Sequence, residues 1–242
     1  MTPPRKAEFA ATRWSLVLSA HAGEPAAAER ALEELCRTYW YPLYAFVRRQ
    51  GRDANEADDL TQSFFARLIE KRWLAAASPE KGRFRTFLLT ALSHFLANEW
   101  VREHRLKRGG GHRFVALDAA TAEERYLLEP AETATPEVLF ERRWALTVLE
   151  NAFAALEAES RATGRHELFH ALRPHLSGDP DAATFAATAP GLGLSEGALK
   201  VAAHRLRRRY GELVRAEIGR TVDDDPATVA LELQHLREVL RG

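Results

Sequence analysis

The sequence predicts an all-α protein built from two helical domains, and three observations carry that prediction. Apolar residues return every three or four positions over long stretches, helix start and stop signals punctuate the chain, and no strand pattern is found anywhere. Thr184 to Arg215 organises the rest. It reads as two helices joined by a tight glycine turn, the second strongly basic, which is a helix-turn-helix pattern.

With 242 residues the chain is long enough for one large or two small domains, and 46% hydrophobic content supplies their cores. The 34 basic and 34 acidic residues cancel, so any attraction to nucleic acid must come from segregation of charge along the chain. A single cysteine, Cys36, excludes an internal disulfide and a cysteine zinc cluster and suits a reducing cytoplasm. Nothing approaches a membrane span or a signal peptide, so the expectation is a cytoplasmic protein without membrane insertion.

In order along the chain, TRWSLVLSA before Gly23 is a short amphipathic helix candidate. A second helix runs from about Pro25 to Gln50, with Tyr39, Trp40, Tyr41, Tyr44 and Phe46 as core aromatics and a kink expected at Pro42. Gly51 stops it. Asp53 and Glu56 then have the spacing of a capping box for a third helix, on which Ala57, Leu60, Phe64, Phe65, Leu68 and Ile69 form the buried arc. Its polar strip holds Asp59, Gln62, Ser63, Ala66 and Glu70, with Asp58 at the margin; such a strip is a solvated face or a docking surface for a basic partner.

A fourth helix from about Phe84 into Arg105 turns Phe84, Phe87, Leu88, Ala91, Leu92 and Phe95 inward. Small groups, Thr86, Thr90, Ser93 and Ala97, line its other side, with His94, Trp100 and His104 nearby. Between Lys71 and Arg113 ten basic residues stand against three acidic ones, a combination suited to unstacked bases. After the glycines at 109 to 111 comes an acidic stretch read as a linker with at most a short helix. Thr135 and Pro136 open a long helix with Leu139, Leu146, Leu149, Phe153 and Leu156 inward. A helix from about His166 to Leu176, bent at Pro174, leads to the helix-turn-helix, and a last amphipathic helix follows DDDP at 223 to 226.

Within the helix-turn-helix, Ser195 is placed to cap the second helix. Leu199, Ala203, Leu206, Tyr210 and Leu213 then form its packing stripe. The opposite stripe is Gly197, Val201, His204, Arg208, Gly211 and Arg215, flanked by Lys200, Arg205 and Arg207. Small and polar groups near the start and arginines further on suit base edges and phosphates respectively.

Four candidate chemical features do not add up to a site. GLGLSEG spaces its glycines as GxGxxxG with no strand before them, unlike a dinucleotide fingerprint. HELFH, His166 to His170, matches the zinc-protease spacing, but Leu168, Leu172 and Leu176 read as an ordinary amphipathic helix and His175 is the only nearby third ligand. Asp58 and Asp59 are sequence neighbours that point differently from a helix, and Cys36 has no triad context. The expectation is therefore no catalytic residue, no cofactor and no metal.

These residues together resemble the extracytoplasmic-function sigma factors of the sigma-70 type, two-domain promoter-recognition subunits of bacterial RNA polymerase. EADDLTQSFFARLIEK is similar to their core-binding helix, RFRTFLLTALSHFLANEWVREHRLKR to the helix that melts the minus-ten element, and GLGLSEGALKVAAHRLRRRY to the helix-turn-helix that reads the minus-thirty-five element. The resemblance implies an N-terminal extension (1–24), region two (25–108), a linker threading towards the RNA exit channel (109–136), region four (137–218) and a C-terminal extension (219–242). It implies that Asp58, Asp59, Gln62 and Phe65 meet core polymerase, although periodicity alone buries Phe65. Arg83, Arg85, His94, Asn98, Trp100, Arg102 and Arg105 would meet the melted single strand. Ser195, Lys200, Val201, His204, Arg205, Arg208 and Arg215 would meet duplex promoter DNA.

An anti-sigma factor is a further partner of this class. The family usually has Asn where this chain has His94 and Asp where it has Asn98, and Thr188 and Pro190 are expected to shorten the first helix of the turn motif. Two other readings are a helix-turn-helix regulator acting without polymerase and, through HELFH, a zinc hydrolase.

Overall fold

A computed structural model describes residues 25–70, 73, 83–105, 122–124, 126, 134–177, 184–220, 222 and 226–241, and among these there is no strand. The helices are α1 (Pro25–Arg49), α2 (Ala54–Glu70), α3 (Phe84–Arg105), α4 (Pro136–Ala162), α5 (His166–Ser177), α6 (Phe185–Thr188), α7 (Glu196–Gly219) and α8 (Pro226–Arg241), with a 3-10 turn at Pro190–Leu192. The chain divides into two units, residues 1–147 with 219–242, and residues 148–218. The candidate helix before Gly23 lies outside the described residues, as does most of the acidic linker.

The first unit is built on the aromatics of α1. Tyr39, Trp40, Tyr41, Tyr44 and Phe46 are all buried. Tyr39 meets Phe84 edge-on at 5.6 Å, Trp40 stacks on Phe65 at 5.7 Å, and Phe64 packs on Phe95 at 5.8 Å, so α1, α2 and α3 share one core. Pro42 sits inside α1 without ending it. Gly51 ends it, with φ of 86°, a backbone conformation that a residue with a Cβ rarely adopts. The capping box forms as expected: the Glu56 amide donates to Asp53 Oδ1 at 2.8 Å and the Asp53 amide to Glu56 Oε2 at 3.3 Å. Burial pushes the Cys36 thiol up to about 12, which leaves it chemically inert.

Residues 122–124 are helical and belong to this unit. Glu123 takes a two-point contact from Arg48 on α1, at 2.9 and 2.7 Å, and accepts from the Tyr44 hydroxyl at 2.5 Å. These donors hold the Glu123 carboxyl below the usual carboxylate range, and burial, with Glu123 beside it, pushes the Tyr44 phenol up.

Along α4 the buried row is Phe140, Trp144, Val148, Ala152 and Leu156, in steps of four. Leu146, expected inward, is exposed instead, because it falls half a helical turn from both Trp144 and Val148. In the second unit, Phe153 contacts Phe169 on α5 at 5.4 Å and Tyr210 on α7 at 5.9 Å, and the Tyr210 hydroxyl donates to the Leu149 carbonyl at 3.1 Å. Leu172, Ala189, Leu199 and Ala203 form the helix-turn-helix core, joined by Leu168, Phe185, Leu192, Ala202 and Leu206.

Candidate nucleic-acid interface

In the first unit, α2 presents the acidic pair at two depths. Asp59 is exposed, whereas Asp58 is half-buried and accepts from Gln62 Nε2 at 2.8 Å. Burial first, and the neighbouring Asp59 charge second, raise the Asp58 carboxyl above its ordinary range, against the opposing effect of Gln62. Phe65 is 4% exposed and stacked on Trp40, so the core position given by periodicity is the one observed. Arg67 ties α2 to α3, meeting Glu99 at 2.6 Å and lying over the Phe95 ring.

The outer stripe of α3 is open as the spacing predicts: Thr86, Thr90, Ser93, His94, Ala97, Asn98 and Trp100 are exposed. Thr90 and Ser93 donate back to the carbonyls of Thr86 and Leu89, four residues earlier, which fixes both hydroxyls flat against the helix. Trp100, 53% exposed, lines a cleft of about 660 Å³ whose other walls are Ser93, Leu96, Ala97, the α1–α2 turn at Gln50 to Arg52, and Glu56 in the first turn of α2. No local pattern could have joined Gln50 and Arg52 to this face. The side chains of Arg102 and Arg105 lie outside the described residues.

Arg85 corrects the sequence reading. Expected among the residues facing single-stranded DNA, it is 2% exposed, with its guanidinium 4.1 Å over the Trp144 ring. Its Nε donates to Glu141 at 2.6 Å and its Nη1 to Glu232 of α8 at 2.5 Å. Arg83 is partly exposed and contacts the other oxygen of Glu232 at 2.5 Å. The physical reason is long-range: carboxylates balance the buried Arg85 guanidinium, and these come from α4 and α8, distant in sequence.

In the second unit, the turn motif forms around a four-residue α6, capped by Thr184, whose Oγ1 accepts from the Ala187 amide. Pro190 opens the 3-10 turn that follows. Gly193, with φ of 64°, makes the turn, and Ser195 Oγ accepts from the Ala198 amide at 3.2 Å to cap α7. From there Leu199 and Ala203 point into the core, while Lys200, Val201, His204, Arg205, Arg208 and Arg215 are all exposed.

The cations of α7 are not equivalent. Lys200 pairs with Glu196 at 2.6 Å and Arg208 with Glu212 at 3.2 Å, both one turn apart and exposed. Pairs of this kind are worth about 0–1 kcal/mol, so a phosphate can displace the carboxylate. Arg209 is committed differently. It makes a two-point contact with Glu159 of α4 at 2.9 and 2.7 Å and a third with Glu212; the two carboxylates raise the Arg209 pKa, and the Arg209 guanidinium holds Glu159 below the usual carboxylate range. The run of arginines from 207 to 209 does not reveal which member is structural, because Glu159 lies fifty residues away.

Residues 35–106 match the family of sigma-70 region 2, a span covering most of α1 and all of α2 and α3. No curated protein and no solved structure matches the chain. The chain thus carries a sigma-70 region 2 domain, which supports a sigma-factor role in RNA polymerase binding and promoter melting. Sigma-70 family members are initiation factors without enzymatic activity. Among the described residues no helix is long and apolar enough to cross a membrane.

Proposed function

We propose that this chain is a two-domain sigma factor of the extracytoplasmic-function type, in which the α2 strip docks on core polymerase, α3 holds the melted minus-ten strand and α7 reads the minus-thirty-five duplex. The observation carrying the reading is the coincidence of the region 2 match with the open face of α3. That face combines small side chains, a half-exposed tryptophan and an adjoining cleft, which suit an extruded base stacked on an aromatic.

On α2, Asp59 and Gln62 are the contacts proposed for polymerase; Asp58 sits beneath them and Phe65 supports the strip from inside. Arg83, just before α3, and His94, Asn98 and Trp100 on it, with Arg102 and Arg105, form the proposed single-strand surface, while Arg85 holds the fold behind it. On α7, Ser195 sets the helix start, Lys200, Val201 and His204 lie in the first turns, which enter a major groove, and Arg205, Arg208 and Arg215 lie further along, towards phosphates.

The test is transcription from a randomised promoter library by core polymerase with and without this chain. Enrichment of one pair of spaced elements only when the chain is present supports the reading. Sequence-specific binding to DNA without any gain in transcription by core polymerase would instead mark a regulator that acts alone.

A further inference from the structure

We propose that His166, His170 and Glu157 form a binding site for a divalent cation of the Zn²⁺ class that braces α5 against the end of α4. His166 and His170 stand one turn apart on α5, and their Nε2 atoms share a hydrogen bond at 2.9 Å, which a cation bound by both nitrogens replaces. The expected third ligand, His175, is turned away and stacked on Phe185 at 4.2 Å. Glu157, from the preceding helix, takes its place: its Oε1 lies 3.9 Å from each Nε2.

The point equidistant from three atoms with these separations lies about 2.1 Å from each, which is the bond length of Zn²⁺ to imidazole nitrogen and carboxylate oxygen. A cation there would sit in the plane of its three ligands. The histidines are 41% and 46% exposed, so water can complete the coordination. Two imidazoles and one carboxylate favour zinc and its neighbours cobalt, nickel and copper over magnesium or calcium, which prefer oxygen ligands. Arg161 now contacts the same Glu157 oxygen at 2.7 Å, but it is 63% exposed and this single-turn pair is weak, so a dication displaces it at little cost.

The consequence lies in the fold. Phe169, between the two histidines, and Leu172 are buried, and Leu172 belongs to the helix-turn-helix core. Fixing α5 to α4 therefore steadies the platform on which α6 and α7 pack.

The experiment is calorimetric titration of the full chain, stripped of metal, with Zn²⁺ and separately with Mg²⁺, followed by thermal unfolding with and without Zn²⁺. One Zn²⁺ per chain is expected, with no Mg²⁺ binding, and Zn²⁺ should raise the unfolding temperature of the wild type. Replacing His166→Gln, His170→Gln or Glu157→Gln should each weaken Zn²⁺ at least as much as the roughly 10–100-fold lost when even an outer partner of a metal site is removed. Arg161→Ala should tighten it severalfold. An isolated histidine pair would not respond to Glu157. Absence of stoichiometric binding, or an affinity unchanged by Glu157→Gln in a variant with wild-type circular dichroism, would overturn the proposal.

Discussion

Removing the Glu232 carboxylate should unlock the first unit from its C-terminal helix. Glu232 is 3% exposed, and its two oxygens meet Arg83 and Arg85, each at 2.5 Å. In Glu232→Ala, Arg85 remains buried against Trp144 with only Glu141 to balance it, and Glu141 is also engaged by His235 at 3.0 Å. Breaking a buried ion pair from one side costs about 3–5 kcal/mol; the remaining Glu141 contact places the loss near the lower end, about 3 kcal/mol. That is a large share of the roughly 5–15 kcal/mol that holds a domain together. Arg83→Ala removes a partly exposed partner of the same carboxylate and should cost under about 1 kcal/mol. Urea unfolding of the full chain, followed by tryptophan fluorescence because Trp144 lies under Arg85, compares the two. If Glu232→Ala costs no more than Arg83→Ala, the buried pair does not hold α8 to this unit and the argument fails.

Three further outcomes follow from the surfaces. Asp58→Asn should stabilise the first unit at neutral pH, because burial raises this carboxyl and its ionised form is disfavoured in the native state. The gain over wild type should shrink as pH falls from the raised Asp58 range towards the ordinary carboxylate value near 4 and vanish below it, where Asp58 is neutral in both folded and unfolded chains; melting temperatures across pH read it. Asp59→Arg should leave the fold unchanged and slow association with core polymerase by roughly tenfold at low salt, measured by surface-immobilised polymerase. On α7, changing Lys200 or His204 should alter the preferred upstream sequence by roughly 1–3 kcal/mol at one base pair, whereas Arg215→Ala should weaken all sequences alike and lower the salt slope by about one, read by binding to a randomised duplex at several salt concentrations.

What could be read from the sequence is what is local. The Asp53–Glu56 box, the Gly51 stop, the Ser195 cap and the glycine turn at Gly193 all depend on residues within a few positions, and all form as the spacing says. The α3 stripe was legible for the same reason, since helical periodicity alone separates Leu88 and Leu92 from Thr90 and Ala97. Long-range partners were not legible. Arg85 looks like any basic residue beside an aromatic helix until Glu232, 147 positions later, is found against it. Arg209 owes its fixed position to Glu159, and the histidine pair of α5 has Glu157 of the preceding helix beside it. The stripe of Leu139, Leu146, Leu149, Phe153 and Leu156 misses Phe140 and Trp144, the residues that fill the core, and so Leu146 lies outside it.

The central claim is that α3 holds melted promoter strand, and permanganate footprinting tests it most directly. On a promoter recovered from the library, core polymerase and this chain together should make thymines near the minus-ten element reactive, and neither should do so alone. Trp100→Ala should reduce that reactivity by the equivalent of about 1–3 kcal/mol while closed-complex binding to the duplex stays unchanged. Absence of reactive thymines with the wild-type chain, or equal loss of closed and open complexes in Trp100→Ala, would contradict it.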